Sequence, residues 1–381
     1  MIALVSAAVT AGLMCTLLFY ALGGSVTRAA DMVRFVATMR FVESRYVNDT
    51  DSTTLINGAF EGLMNSLGDK YSVYLDAEKY KQLSDMNQGS FGGIGVVMSF
   101  SDPGHCRIMS VMDEAPGKEA GLEANDEIVA VEGVQISTLQ PEEIVYRIRG
   151  AEGTPVVLTI HREGQPDKDY TIIRSNIHID TAVGDVVPDT DIGYIRIASF
   201  SEHTADEFAK ILAEQQAKGI KGLIIDLRSN PGGLIKSCVD IANMVVPAGD
   251  VVSVVDKDGN KEVYKSSKSG ENIPIVVLID NNSASASEIL AGALKDRQAA
   301  TLVGVKSYGK GSVQTIVPLF RGDAIKLTVA KYYTPSGISI DGVGIEPDVE
   351  IALPENAGKD VQLAKAIEVM KEKIASLHIK N

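Results

Sequence analysis

Residues 273–289 read Ile-Pro-Ile-Val-Val-Leu-Ile-Asp-Asn-Asn-Ser-Ala-Ser-Ala-Ser-Glu-Ile. Ile273–Ile279 is a continuous apolar run, the pattern of a strand buried on both faces. A helix is expected to follow from about Ala286 to Asp296. The same alternation extends outward. Gly193–Ile197 and Gly222–Asp226 read as strands around a helix at Ala205–Ala217, and Thr204 with Glu207 has capping-box spacing at that helix start. Alternating strands and helices from near Ile177 predict an α/β core.

The polar turn Asp280–Glu288 is suited to nucleophilic chemistry. A serine at a strand-to-helix turn projects its Oγ from the sheet end, and the helix N-terminus offers free N–H groups to a developing oxyanion. Ser283, Ser285 and Ser287 compete, and spacing does not choose among them; the unused ones would be helix caps. A serine needs a base. His105, His161, His178, His203 and His378 all lie outside any glycine-framed context, and no GxSxG element is present. The alternative base is Lys310 in Ser307-Tyr308-Gly309-Lys310-Gly311-Ser312-Val313-Gln314. Flanking glycines let that backbone approach another element closely. If a strand starts at Ser312, Lys310, Ser312 and Gln314 share one side. A lysine acts as a base only when neutral, which requires desolvation. Gly304 with Gly309-Lys310 also satisfies phosphate-loop spacing, but Gly311 stands where that motif needs Ser or Thr, and the segment leads into a strand.

Upstream the texture is β-rich. Gly95–Phe100, Arg107–Val111, Glu127–Val131 and Val156–His161 are short strand-like runs separated by turns such as Asp102-Pro103-Gly104. Gly92-Gly93-Ile94-Gly95-Val96, Val111–Gly117, Ala120-Gly121-Leu122, Asn125–Ile128 and Val131-Glu132-Gly133 follow in order. This series resembles a PDZ domain. Asn125 stands where a glycine is common, a small change because asparagine tolerates positive φ. The glycine-rich turn Gly92–Gly95 would present N–H groups to a chain-terminal carboxylate, and the strand starting there would pair with an extended peptide. Arg147 and Arg149 end the flanking helix; resemblance to the PDZ modules of exported proteases implies that an arginine of this region couples peptide docking to the active site, with Arg149 the better match, and the other reading is a solvated charge favoured by the helix dipole.

The first third reads differently. Residues 28–88 look helical, with Leu55, Ile56, Ala59, Phe60, Leu63 and Met64 on one predicted face, a subdomain for packing or a homodimer contact. Residues 2–22 are apolar apart from Ser6, Thr10 and Thr16, and as a helix would rise about 31 Å. They predict a membrane anchor, or a cleaved signal ending near Ala21-Leu22-Gly23. The protein is then held at the cell membrane with an extracytoplasmic catalytic part, or secreted. The 381 residues suffice for two or three domains, and a net charge of −14 without a basic run argues against a nucleic-acid partner. Cys15, Cys106 and Cys238 form no CxxC pair, so no metal site is expected, and the latter two read as small buried hydrophobes.

Taken together, the helical start, the PDZ-like module, Asn230-Pro231-Gly232-Gly233, the SASASE segment, GKGSVQ and Gly344-Ile345-Glu346-Pro347-Asp348 resemble the carboxy-terminal processing peptidase, or tail-specific protease, family over about residues 35–355. The resemblance implies Ser285 as nucleophile, Lys310 as base and Gln314 as its orienting partner, with no cofactor. The oxyanion donors would be the N–H of Ala286 and one from Gly232 or Gly233. The substrate would be a protein with an apolar C-terminus, recognised through Gly92, Gly93, Ile94, Gly95, Val96 and Arg149. The expected class is α/β (α+β multidomain), with a crotonase/Clp-like ββα peptidase core. The segments are 1–27 anchor or signal, 28–88 helical subdomain, 89–175 PDZ, 176–356 peptidase core and 357–381 C-terminal helix. Two further readings are a PDZ adaptor with a silent or partner-activated peptidase fold, and a crotonase-type enzyme, which would bind a thioester and carry no PDZ module.

Overall fold

The computed structural model describes residues 16, 19–20, 24–101, 104–267, 273–354 and 358–380. The expected anchor or signal, residues 2–22, lies almost wholly outside them. Among the described residues no helix is long and apolar enough to cross a membrane. The chain forms two compact units, one made of residues up to Ala77 with Thr315–Thr328, the other of Glu78–Gln314 with Val329–Asn381.

In the first unit, α1 (Val26–Arg45) and α2 (Ser52–Asn65) precede the short strand β1 (Val73–Leu75). Asp51 caps α2, its Oδ1 accepting the Thr54 N–H at 2.7 Å. β1 pairs antiparallel with residues 324–326. Tyr74 stacks on Phe60, and its hydroxyl reaches Asp323 Oδ2 at 2.8 Å. The predicted apolar face of α2 is only partly realised: Met64 is buried, whereas Leu63 is exposed. No residue of α1 is buried.

The second unit begins with α3 (Ala77–Gln88) and β2 (Ser90–Gly93), then enters a β-module. Its elements are β3 (Val96–Ser99), β4 (Cys106–Val111), α4 (Pro116–Glu119), β5 (Glu127–Val131), β6 (Val134–Gln135), α5 (Pro141–Ile148), β7 (Pro155–His161) and β8 (Lys168–Ile173). The sheet order is β3-β4-β5-β7-β8, with β6 on β5, so β3 is an edge strand. Alternation makes the core: Val156, Leu158 and Ile160 of β7 point inward beside Ile108, Ile128, Ile144 and Ile172. Each such side chain contributes about 1.5–3 kcal/mol on burial. Asn125 takes the positive φ (74°) that its place before Asp126 requires. Asp126, 1% exposed, is held by Arg162 Nε at 2.6 Å. The chain leaves through β9 (Ser175–His178), which pairs antiparallel with β2.

The remaining core contains β10 (Ala182–Val186), β11 (Ile192–Ile197), α6 (Thr204–Ala217), β12 (Gly222–Asp226), α7 (Ile235–Val245), β13 (Gly249–Asp256), β14 (Lys261–Ser266), β15 (Ile275–Ile279), α8 (Ala286–Asp296), β16 (Ala300–Gly304), β17 (Ser312–Pro318), β18 (Ala324–Tyr333), β19 (Val349–Glu350) and α9 (Val361–Lys380). One sheet runs β10-β11-β12-β15-β16-β19, parallel except for the β10 edge. Both faces are covered, which is why β15 is apolar throughout. Ile275, Val277 and Ile279 pack in the cluster with Phe208, Ile241 and Leu290 of α6, α7 and α8. Val276 and Leu278 pack with Ala366 and Met370 of α9.

The capping box expected at α6 is not formed. The Glu207 carboxylate instead accepts the N–H groups of Thr181 and Ala182, each at 2.8 Å, and so ties β10 to the helix. Cys106 and Cys238 are buried and free; burial pushes the Cys106 thiol up to about 12.

Candidate active site

Three loops meet beyond the carboxyl ends of β12, β15 and β16, where open parallel sheets place their ligands. The β15 loop carries the three serines, and their surroundings separate them. Ser283 is fully buried and donates to the Leu227 carbonyl at 2.8 Å. Ser287 is fully buried and donates to the Asn230 carbonyl at 3.0 Å. Ser285 is partly exposed, and its hydroxyl donates to no carbonyl or carboxylate among the described residues. Its backbone is strained, at φ 57° and ψ −115°. Such a conformation costs about 1–3 kcal/mol in a non-glycine residue and lifts the side chain out of the turn.

The β12 loop approaches from one side. Gly232 has φ 101°, and a Cβ there would lie 2.7 Å from Ser285 Cβ and 3.0 Å from Ala286 N, so only glycine fits. The Gly232 N–H is occupied by Asn230 Oδ1 at 2.8 Å. The N–H groups of Gly233 and Ala286 have no partner among the described residues. Asn230 Nδ2 donates to the Ile197 carbonyl at 2.8 Å, fixing this loop against β11.

The β16 loop brings Lys310. Its connection to Ser285 is a residue to which sequence reasoning assigned no role, Glu288. This side chain is fully buried in the first turn of α8. Its Oε2 accepts the N–H of Ser285 and the N–H of Lys310, both at 2.9 Å. One oxygen therefore holds the two amide nitrogens within about 6 Å of each other. Its Oε1 accepts from Gly309 N at 2.7 Å and Ser307 Oγ at 2.5 Å. The Ser307 hydroxyl in turn accepts the Ile345 N–H at 2.7 Å. The Ser-x-x-Glu spacing of Ser285 and Glu288 is itself a capping-box signature, the signal from which Glu288 was legible. Gln314 Nε2 donates to Ser312 Oγ at 2.9 Å. Four histidines are engaged elsewhere: His105 with Glu127, His161 with Asp167, His178 with Glu207, and His203 edge-on to His178. Arg228 pairs with Asp226 (2.6 Å) and also reaches Asp360 (2.8 Å), tying β12 to the start of α9.

The candidate peptide-binding residues lie around β2 and β3. Gly92 and Gly93 pair with Asn176 and Ser175 of β9, and the Gly92 carbonyl accepts the Gly150 N–H at 3.1 Å. Ile94 is in the core, and its carbonyl accepts the Gly117 N–H at 2.8 Å. Gly95 has φ 69° and leads into Val96 on the edge strand. Arg149 lies 3.9 Å over the Phe91 ring centroid. It lines a cavity of about 270 Å³ with Glu78, Lys81 and Asp85 of α3. Burial holds its guanidinium below the usual arginine value, against the opposing charge of Asp85.

The chain is 40% identical over 347 residues to a carboxy-terminal-processing protease of Bartonella bacilliformis, covering 88% of this chain and 79% of the relative. It belongs to the carboxy-terminal-processing proteases of peptidase family S41. As a member of peptidase family S41 it matches that family over residues 191–351, a PDZ domain over 107–162, and the activating protease CtpB N-terminal domain over 23–79. A second S41 relative, carboxy-terminal processing protease CtpB of Bacillus subtilis, is 39% identical over 319 residues, 82% of this chain and 66% of that protein. A solved photosystem II D1 C-terminal processing protease superposes with a TM-score of 0.51 at 27% identity, covering 87% of this chain and 90% of that one. The protein is thus an S41 serine-type peptidase with a PDZ domain.

Proposed function

We propose that this protein is an endopeptidase that cleaves proteins near their C-termini with a Ser285–Lys310 pair. The observation that carries the reading is the Glu288 carboxylate, which accepts the backbone N–H of both residues on one oxygen. Neutral Lys310 takes the Ser285 proton, and Oγ attacks the scissile carbonyl. The uncommitted N–H groups of Ala286 and Gly233 receive the oxyanion, each worth about 3–4 kcal/mol in the transition state. Gly232, its own N–H bonded to Asn230, lets the loop approach. Lys310 then protonates the leaving amine, and water releases the acyl-enzyme. Gln314, beside Ser312, orients the lysine.

The PDZ module holds the apolar C-terminus of the substrate. The free edge of β3 supports this, since a peptide can add there as a further strand. Val96 starts that edge, and the Gly92–Gly95 turn precedes it. Arg149 relays occupancy towards α3. Residues 2–22 hold the enzyme at a membrane with the catalytic part outside the cytoplasm, or direct its secretion. The exposed apolar residues of α1, such as Met32 and Phe35, support a homodimer contact.

The test incubates the full chain with an unstructured protein ending in apolar residues, alongside Ser285→Ala and Lys310→Ala. Cleavage by wild type and its loss in both variants is the expected outcome. Cleavage by either variant at the wild-type rate would sink the dyad. Peptide binding without cleavage by the wild type would favour an adaptor.

A further inference from the structure

Tyr332 lies in β18, only 1% exposed. Its backbone N–H donates to the Gly311 carbonyl at 2.9 Å, which fastens it to the loop that carries Lys310. Its hydroxyl is buried and has no hydrogen-bond partner among the described residues. The Ser285 hydroxyl lies near it, close enough to interact but without a hydrogen bond formed. Leaving a buried hydroxyl unsatisfied costs about 1–3 kcal/mol. A phenylalanine would fill the same space without that cost. An orphaned polar group in a native interior calls for an account, and a place beside the nucleophile supplies one.

We infer that Tyr332 is a further catalytic residue of this site, whose phenol donates a hydrogen bond to Ser285 Oγ as Lys310 withdraws the serine proton. The inference rests on Ser285 as nucleophile. The phenol keeps its own proton throughout; the Oγ proton passes to Lys310 Nζ, and the charge left on Oγ is shared with the tyrosine O–H until the bond to the carbonyl carbon forms. Burial, then the negative charge of Glu288, holds the phenol well above its ordinary pKa, so it stays a donor across the working range. The ionisable groups facing it are Glu288, Cys238 and Asp341. The hydrogen bond would appear only as charge develops, the condition under which binding energy lowers a barrier.

Tyr332→Phe removes the hydroxyl alone. The experiment follows labelling of Ser285 by a fluorophosphonate, which needs no bound peptide, in the full chain from pH 6 to 10, alongside thermal unfolding. Expected is labelling slowed at least about tenfold, with the alkaline rise in rate displaced to higher pH and a melting temperature equal to or above wild type. Wild-type labelling with an unmoved pH profile overturns the inference. So does slow labelling that comes with a lower melting temperature and an unmoved profile, the mark of a packing role. Ser285→Ala is the separate control: if it is labelled like wild type, the nucleophile assignment itself has failed, whatever Tyr332→Phe does.

Discussion

Replacing Glu288 by glutamine is the sharpest perturbation of the site, because it changes one atom in a side chain that four donors address. The carboxyl group accepts from Ser285 N, Lys310 N, Gly309 N and Ser307 Oγ. The least disruptive glutamine keeps its oxygen towards Ser285 and Lys310 and turns its NH₂ towards Ser307 and Gly309. Ser307 can become an acceptor by rotating its hydroxyl; the Gly309 N–H cannot. That orphaned amide costs about 1–3 kcal/mol, and loss of the negative charge weakens the surviving bonds by roughly 0.5–1 kcal/mol each. The total is about 2–5 kcal/mol, which for a unit of this size lowers Tm by about 4–20 °C. Scanning calorimetry reads the stability. Single-turnover acylation reads the site and should fall more than about 100-fold, since the loops of the proposed nucleophile and base lose their common anchor. Glu288→Gln with wild-type Tm and wild-type acylation would refute the reasoning. Glu288→Ala, which strands all four donors, should be worse on both measures.

Gly232→Ala drives a methyl group to 2.7 Å from Ser285 Cβ at a backbone φ of 101° and should lose fluorophosphonate labelling; labelling at the wild-type rate would contradict the geometry. Ser287→Ala removes the bond to the Asn230 carbonyl and should cost about 1 kcal/mol in chemical denaturation while cleavage changes only a few-fold. In the PDZ module, burial alone would raise the Asp126 carboxyl, but hydrogen bonds from Arg162 and the Glu123 amide hold it below the usual carboxylate range. Its contribution is therefore complete above the unfolded value near 3.9 and is lost as pH falls through the lower folded value. The Tm difference between wild type and Asp126→Asn should accordingly be constant above about pH 5 and shrink below about pH 4. Peptide mapping after disulfide-exchange labelling at pH 8 should find Cys106 and Cys238 unmodified until the protein unfolds, since both thiols are buried and raised.

Much of the core could be read directly, because its signal is local. The β15 run and the helix after it fall within two residues of where hydrophobic pattern places them. Spacing could not choose among Ser283, Ser285 and Ser287, since burial and the carbonyls of Leu227 and Asn230 separate them, and those come from another loop. For the same reason Thr204 and Glu207 misled. Their spacing suits a cap, but β10 presents two backbone amides that Glu207 prefers to its own helix end. Periodicity in α1 reveals an apolar stripe but not what lies against it, and no residue of that helix is buried. Tyr332 carried no signal, because an aromatic in a β-rich stretch reads as packing, and only the missing partner of its hydroxyl sets it apart.

The β-module enters and leaves the core along two neighbouring strands, with Ser90 opposite His178 and Gly93 opposite Ser175. Paired strands lie about 4.8 Å apart, so residues 94–174 form a closed excursion from a stem four residues deep. To the rest of the chain this is an insertion whose two ends already touch. Another domain with adjacent termini could occupy the stem without stretching the host, the geometry in which domain insertions are best tolerated. If the module holds the substrate and the Ser285 loop cuts it, as proposed above, recognition and cutting are separable parts, and specificity could be exchanged as a cassette while the Ser285 loop keeps its own scaffold.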